Sequence, residues 1–168
     1  MNDLISRRYV DGVKPAVLKV LTARVTELVG DAVMRSVDLD HVAIAVHNLE
    51  RATQAFGYLG LDVEMVEEIA HEHVRVRMMH IDAARLEFIE PLTKDSPLQR
   101  FLEKYGEGLH HVAFCVEDVD VVFSHLQRRD IQLASDCVKS GAYGHRYFFL
   151  HPKSIGGILV ELVSEKKA

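Results

Sequence analysis

The sequence predicts an α+β fold: two tandem βαβββ modules whose sheets join into one curved, barrel-like mixed sheet, preceded by an N-terminal helix. Three observations predict it. One alternating apolar pattern is written twice; each copy runs into a helical stretch and then into three more extended segments; and a separate helical stretch lies ahead of both.

The leading stretch, residues 14 to 35, carries Val17, Leu18, Leu21, Val25, Leu28, Val29, Ala32 and Val33 at helical spacing, which gives one apolar face. Pro15 suits a first turn and Gly30 weakens the pattern. The apolar face predicts packing on the domain or on a dimer mate, with a partner-docking helix as the sharper alternative.

The repeat begins at Leu39-Asp40-His41-Val42-Ala43-Ile44-Ala45-Val46, which realigns 70 residues later (111 − 41) with Leu109-His110-His111-Val112-Ala113-Phe114-Cys115-Val116. Strict alternation puts His41, Ala43 and Ala45 on one strand face and Val42, Ile44 and Val46 on the other. A helix follows each copy, Leu49 to Leu59 and Val119 to Gln127. Extended segments then come at Asp62 to Glu67, Val74 to Ile81 and Ala84 to Glu90, and at Gln132 to Ser135, Arg146 to His151 and Gly157 to Val163. A helix around Pro97 to Tyr105 joins the halves, so the organisation is 1–37 helical extension, 38–93 first module, 94–107 linker helix and 108–165 second module. Neither module buries both its helix and its sheet alone, so the two sheets pair into an open cleft with helices outside.

Two histidines and two glutamates sit at matched places in the copies. His41 and His111 open the first strands, and Glu87 and Glu161 stand in the last ones, in Leu86-Glu87-Phe88 and Val160-Glu161-Leu162. Taken singly, each reads as a core histidine or a strand glutamate. A pseudo-two-fold axis relating the copies brings all four to one point. Two buried carboxylates side by side repel unless a cation neutralises them, which predicts a metal cleft. Two imidazoles and two carboxylates suit Co, Zn, Ni, Mn or Fe, and disfavour Ca, which takes oxygen alone.

Bulk properties narrow the function classes. With 168 residues, 48% hydrophobic and 27% charged residues and a net charge of −5, the chain is a globular protein without the basic surface that nucleic-acid binding needs. No run approaches the roughly 20 apolar residues of a membrane helix, and the first residues lack a signal-peptide core. Arg7 and Arg8 hint at a transit peptide, against which Asp3 and Asp11 weigh. Cys115 and Cys137 form no short-spaced pair, so reduced thiols and a cytoplasmic protein are the expectation.

The stretches around Asp40-His41-Val42, Leu86-Glu87-Phe88-Ile89-Glu90-Pro91-Leu92 and Asp95-Ser96-Pro97 resemble the glyoxalase/dioxygenase (vicinal oxygen chelate) superfamily. Gly106-Glu107-Gly108-Leu109-His110-His111, His151-Pro152-Lys153-Ser154 and Gly156-Gly157-Ile158-Leu159-Val160-Glu161 are similar, within it, to the methylmalonyl-CoA epimerase family. The resemblance covers residues 38 to 165. It implies a divalent-metal enzyme with His41, Glu87, His111 and Glu161 as ligands; some relatives place Gln where Glu87 stands. It further implies an acyl-CoA substrate, a homodimer, and interconversion of 2R and 2S methylmalonyl-CoA by α-proton abstraction through a metal-stabilised enolate.

Some relatives carry a carboxylate base on the third strand of the first module. Here that strand reads Val74-Arg75-Val76-Arg77-Met78-Met79, so the bases are read as Glu161, serving also as ligand, and the nearest acid, Glu72. Arg75 and Arg77 read either as a solvated strand face or as contacts to CoA phosphates. The turn Ser140 to Arg146, with Gly144, His145 and Arg146, and the later Lys153 and Ser154 are expected to touch substrate. The histidines His47, His71, His73, His80 and His125 lack a repeat partner and read as surface residues. Rival readings are a glyoxalase I-type lyase or isomerase acting on a thiol adduct, an iron-dependent ring-cleaving dioxygenase, and a metal-free small-molecule-binding protein of the same fold.

Overall fold

The computed structural model describes residues 15–30, 37–81, 84–141 and 144–164. Nine strands are named in chain order: β1 (Asp38–Ala45), β2 (Asp62–Val63), β3 (Glu67–Ile69), β4 (Val74–Ile81), β5 (Ala84–Pro91), β6 (Gly108–Cys115), β7 (Lys139–Ser140), β8 (Arg146–Leu150) and β9 (Val160–Ser164). They form one sheet in the order β2-β4-β5-β1-β6-β9-β8-β7, with β3 also on β4. Among the described residues four α-helices accompany them: α1 (Pro15–Val29), α2 (Leu49–Tyr58), α3 (Pro97–Tyr105) and α4 (Val119–Arg128).

The modules meet through their first strands. β1 and β6 run antiparallel, while each pairs in parallel with the last strand of its own module, β5 and β9. This gives the curled, open half-barrel that the repeat predicts. The helix starts are written at matched positions too. Asn48 accepts from the Arg51 N–H ahead of α2, Asp118 accepts from Asp120 and Val121 ahead of α4, and Ser96 with Pro97 opens α3. Each side chain satisfies an N–H that the first helical turn leaves unpaired.

Alternation sorts the strands into two faces. On the outer face of the second module Val112, Phe114, Val116, Phe148 and Leu162 pack beneath α4, and Leu21, Val25 and Val29 of α1 join the same core. In the first module Val46, Met79 and Phe88 pack with Leu49 and Phe56 of α2. The inner face carries Ala43, Ala45, Val76 and Ile89, closed at one end by Leu98 and Leu102 of α3. The linker helix therefore roofs part of the cleft.

Several boundaries differ from the sequence expectation, for local reasons. The helix expected over 14–35 is described to Val29, where Gly30 takes φ +48 and ends it; residues 31–35 lie outside the described residues. The strand expected at Gln132 to Ser135 shrinks to one bridge, Leu133 to Leu150, because the Ser135 hydroxyl takes the Phe149 N–H at 2.9 Å in place of a backbone carbonyl. The segment Asp62 to Glu67 divides into β2 and the start of β3.

The leading helix packs on the domain itself, with Val25 fully buried. Val25→Ala is expected to cost about 2 kcal/mol, the scale of a small core truncation. In a chain of this size that lowers the melting temperature by roughly 4–8 °C. Metal affinity should not change, because the ligand cleft lies on the opposite face of the sheet. Differential scanning calorimetry with a parallel metal titration checks both halves.

Candidate metal centre and catalytic cleft

Strand register puts the four matched residues on the inner face. In the β1–β6 pair, His41 lies opposite Ala113 and Ala43 opposite His111. In the parallel pairs, Ala43 lies beside Glu87 and Ala113 beside Glu161. Small alanines thus sit among four long polar side chains on four adjacent strands, and the repeat exchanges each relation for its twin. All four polar residues are buried.

Their donor atoms converge. His41 Nε2 is 3.3 Å from His111 Nε2, 3.5 Å from Glu87 Oε2 and 3.5 Å from Glu161 Oε2. His111 Nε2 is 2.8 Å from Glu161 Oε2 and 3.9 Å from Glu87 Oε2. Ligand bonds of about 2.0–2.2 Å to a divalent ion place neighbouring donors roughly 3.0–3.4 Å apart, close to these spacings. His41, His111 and Glu161 form a cluster whose ligand atoms lie within 4.8 Å of one another, and the Glu87 carboxylate stands at the edge of it. The donor set fits a divalent metal of the imidazole- and carboxylate-binding kind.

Electrostatics favour a cation there. Burial alone would lower the pKa of His41, but Asp40, Glu161 and Glu87 outweigh it and raise it well above the ordinary value. Burial would likewise raise Glu161, yet the two imidazoles hold its carboxyl far below the usual range.

The residue before each histidine orients it. Asp40 Oδ1 lies 2.7 Å from His41 Nδ1, and Asp40 is itself ion-paired with Arg85. Burial opposes ionisation of Asp40, but its bond to His41 and the charges of His41 and Arg85 lower its pKa. In the second module His110 takes that place, with Nδ1 2.9 Å from His111 Nδ1 and its ring edge-on to Phe101. Burial and the neighbouring His111 push His110 down to about 4, so it is the neutral partner. Both arrangements turn the Nε2 atoms inward, as an outer partner does for a metal-binding histidine. Sequence reasoning placed Asp40 and His110 in the motifs and assigned neither a role.

A cleft of about 290 Å³ opens beside this cluster. Ile69, Val74, Val76, Ile89, Leu98 and Phe149 form apolar walls, and Glu72, Lys139 and Tyr147 bring polar groups to the same space as Glu87, His111 and Glu161. Glu72 therefore reaches the cleft from the turn ahead of β4. Lys139 and Tyr147 had no signal in the sequence beyond flanking the glycine-rich turn.

The residues expected to touch substrate, Gly144, His145, Arg146, Lys153 and Ser154, are not among those that line this cleft; Arg146 pairs with Asp120 at the start of α4, and the Ser154 hydroxyl donates to Gln132 O at 3.0 Å. Ala142 and Tyr143 of that turn lie outside the described residues. Arg75 and Arg77 stand on the outer face against α2, where Arg75 pairs with Glu90 at 2.8 Å and Arg77 donates to Thr53 Oγ1 at 2.8 Å. They point away from the cleft. Of the five histidines read as surface residues, His47, His71 and His73 are exposed, His125 is half-buried, and half-buried His80 pairs with Glu64 at 2.6 Å.

A two-module half-barrel with a His-His-Glu cluster on its inner face defines a metal-site architecture. A model of the Glyoxalase/Bleomycin resistance protein/Dioxygenase superfamily matches residues 40–149, and the chain belongs to that superfamily. The mitochondrial methylmalonyl-CoA epimerase of Homo sapiens is 35% identical over 150 residues, spanning 88% of this chain and 85% of the human one. That of Mus musculus is 38% identical over 126 residues, 74% of this chain and 71% of its own. A variant of Streptomyces coelicolor methylmalonyl-CoA epimerase, solved in complex with 2-nitronate-propionyl-CoA, superposes with a TM-score of 0.72 at 32% identity, covering 79% of this chain and all of that one. No helix among the described residues is long and apolar enough to cross a membrane.

Asp40→Asn removes the anionic partner of His41 and leaves its shape. Metal affinity is expected to fall about 10- to 100-fold, the usual scale for losing such a partner, whereas His41→Ala and His111→Ala abolish tight binding in folded protein. Competition titration against a chromogenic chelator, with circular dichroism as the folding control, measures all three.

Proposed function

We propose that this chain is a methylmalonyl-CoA epimerase that uses a divalent metal held by His41, Glu87, His111 and Glu161. The observation that carries the reading is the buried cluster of His41, His111 and Glu161, spaced for one ion with Glu87 beside it, at the wall of a cleft that also contains a further carboxylate, Glu72. Likeness to enzymes named for this reaction, over most of the chain, supports the substrate.

When bound, the metal supplies Lewis-acid charge beside the substrate's thioester oxygen and carboxylate. The chain's own groups do the rest. The apolar walls exclude water and seat the small α-substituent. The Glu161 carboxylate, kept ionised by the imidazoles, accepts the α-proton. The C–H electron pair passes into the thioester carbonyl, and Glu72, as the acid, returns a proton to the opposite face of the carbon. In the reverse direction the two glutamates exchange tasks.

The test follows α-proton exchange and epimerisation of methylmalonyl-CoA in D₂O, with acetyl-CoA and the methylglyoxal–glutathione hemithioacetal as comparisons. Exchange of methylmalonyl-CoA, lost on chelation and regained with Co²⁺ or Zn²⁺, is expected; turnover of the hemithioacetal alone would assign a glyoxalase I-type activity instead. Glu161→Gln keeps a coordinating amide oxygen but no proton acceptor, so exchange of the epimer whose proton Glu161 takes, and epimerisation in both directions, should fall by about two orders of magnitude or more. Glu87→Gln, whose task is coordination alone, should lose much less. Metal content measured beside each rate separates a lost base from a lost ion, and equal activity in the two metal-loaded variants would remove Glu161 from the proton transfer.

A further inference from the structure

Three cleft residues from two modules form a cluster that the ligand set does not use. Lys139 of β7 donates from Nζ to Glu72 Oε1 at 2.7 Å, a bond between residues 67 apart. Tyr147 of β8 is buried in the wall of the same cleft as Glu72, and that carboxylate acts on its phenol. The turn carrying Glu72 ends at His73, a non-glycine residue at φ 55; such backbone is kept where surrounding contacts over-determine it. The chain is also shaped around the tyrosine ring. A Cβ on Gly141 would lie 2.9 Å from Tyr147 Cδ1 and 3.0 Å from Cε1, too close unless something shifts. Burial, then the negative charge of Glu72 and the bond to it, keep the Tyr147 phenol protonated far above its ordinary range, so it is a permanent donor.

We propose that Lys139 and Tyr147 are positioning residues that clamp Glu72 at the cleft wall as the second proton-transfer group, with Gly141 leaving space for the tyrosine ring. This rests on the epimerase reading. An unclamped glutamate at the end of a short surface turn samples many rotamers, and two donors on one carboxylate remove that freedom. The balance of each turnover is unchanged: Glu161 gains the α-proton as its C–H bond breaks, and Glu72 gives up its O–H proton as the new C–H bond forms on the other face.

The clamp has a signature that a general structural role lacks. Each epimer is deprotonated by one of the two groups. With the Glu72 arm misplaced, Glu161 still removes and returns the proton of its own epimer, so that epimer exchanges with D₂O without inverting. Tyr147→Phe and Lys139→Met are therefore expected to lower kcat for epimerisation about 10- to 100-fold, the scale of small misplacements of a reacting group. KM should move less, and α-proton exchange of one epimer should persist near the wild-type rate. Gly141→Ala, which removes no functional group, should reproduce the Tyr147→Phe result, and Lys139→Arg should restore much of what Lys139→Met loses. Exchange of both epimers falling in step with epimerisation, or no loss in either variant, would overturn the clamp. Wild-type protein that exchanges neither epimer of methylmalonyl-CoA would instead overturn the epimerase reading on which it stands, so the two failures are told apart by the wild-type arm.

Discussion

Burial of two carboxylates against two imidazoles is the constraint on which this molecule turns. Glu87 and Glu161 both lie within 4 Å of His41 and of His111, and all four side chains are nearly closed to solvent. With neutral imidazoles the cluster carries two negative charges in a poorly hydrated place, a cost of several kcal/mol per ion without compensation. Against the lowering effect of burial, Asp40, Glu161 and Glu87 raise the pKa of His41 well above its ordinary value, the mark of a place that favours positive charge. A divalent ion meets the same demand with bonds. The sheet is arranged to keep the demand in being: alanines at 43 and 113 admit the four long side chains, and the antiparallel β1–β6 seam sets both histidines on one face.

The seam also explains why the two halves form one domain. Each module offers one histidine and one glutamate to the buried cluster, and only the pairing of first strands brings them together. The outer faces close separately, under α2 in one half and under α1 and α4 in the other. The cleft is thereby supported from behind by two apolar cores whose packing is independent of the polar chemistry in front.

Much of this was legible because it repeats. His41 with His111, and Glu87 with Glu161, recur at nearly constant offsets in alternating strands, and alternation alone assigns their face. The caps Asn48 and Asp118 stand at matched positions of the same repeat. What the repeat does not contain was illegible. The meeting of Glu72 with Lys139 depends on how a three-residue turn folds toward the edge strand of the other module, which no local pattern records. Tyr147 reads as one more apolar strand residue until the fold places it in the cleft wall with Glu72. Arg75 and Arg77 sit in an alternating strand, but only the observed register decides that their face is the one under α2. The glycine-rich turn drew attention to Gly144, His145 and Arg146, whereas Gly141 is the glycine that the cleft requires, for the sake of the ring beside it.

The symmetry of the ligands and the asymmetry around them fit together. A single ion is indifferent to which module supplies which donor, so a duplicated half-site suffices. A substrate with one reacting carbon and two different carbonyl arms is not symmetric, and inversion at that carbon needs groups on opposite faces. In the proposed reaction the duplicated framework does not supply these as twins, because Glu161 takes a proton whereas its counterpart Glu87 only coordinates. The second group has to come from an element that the repeat leaves free to differ. The turn ahead of β4 carries Glu72, whereas the matching region ahead of β8 carries the glycine-rich turn, shaped around Tyr147. The orienting residues diverge likewise, with charged Asp40 behind one histidine and neutral His110 behind the other. The two imidazoles are therefore electronically distinct donors, and an ion held between them would face a cleft whose two ends differ.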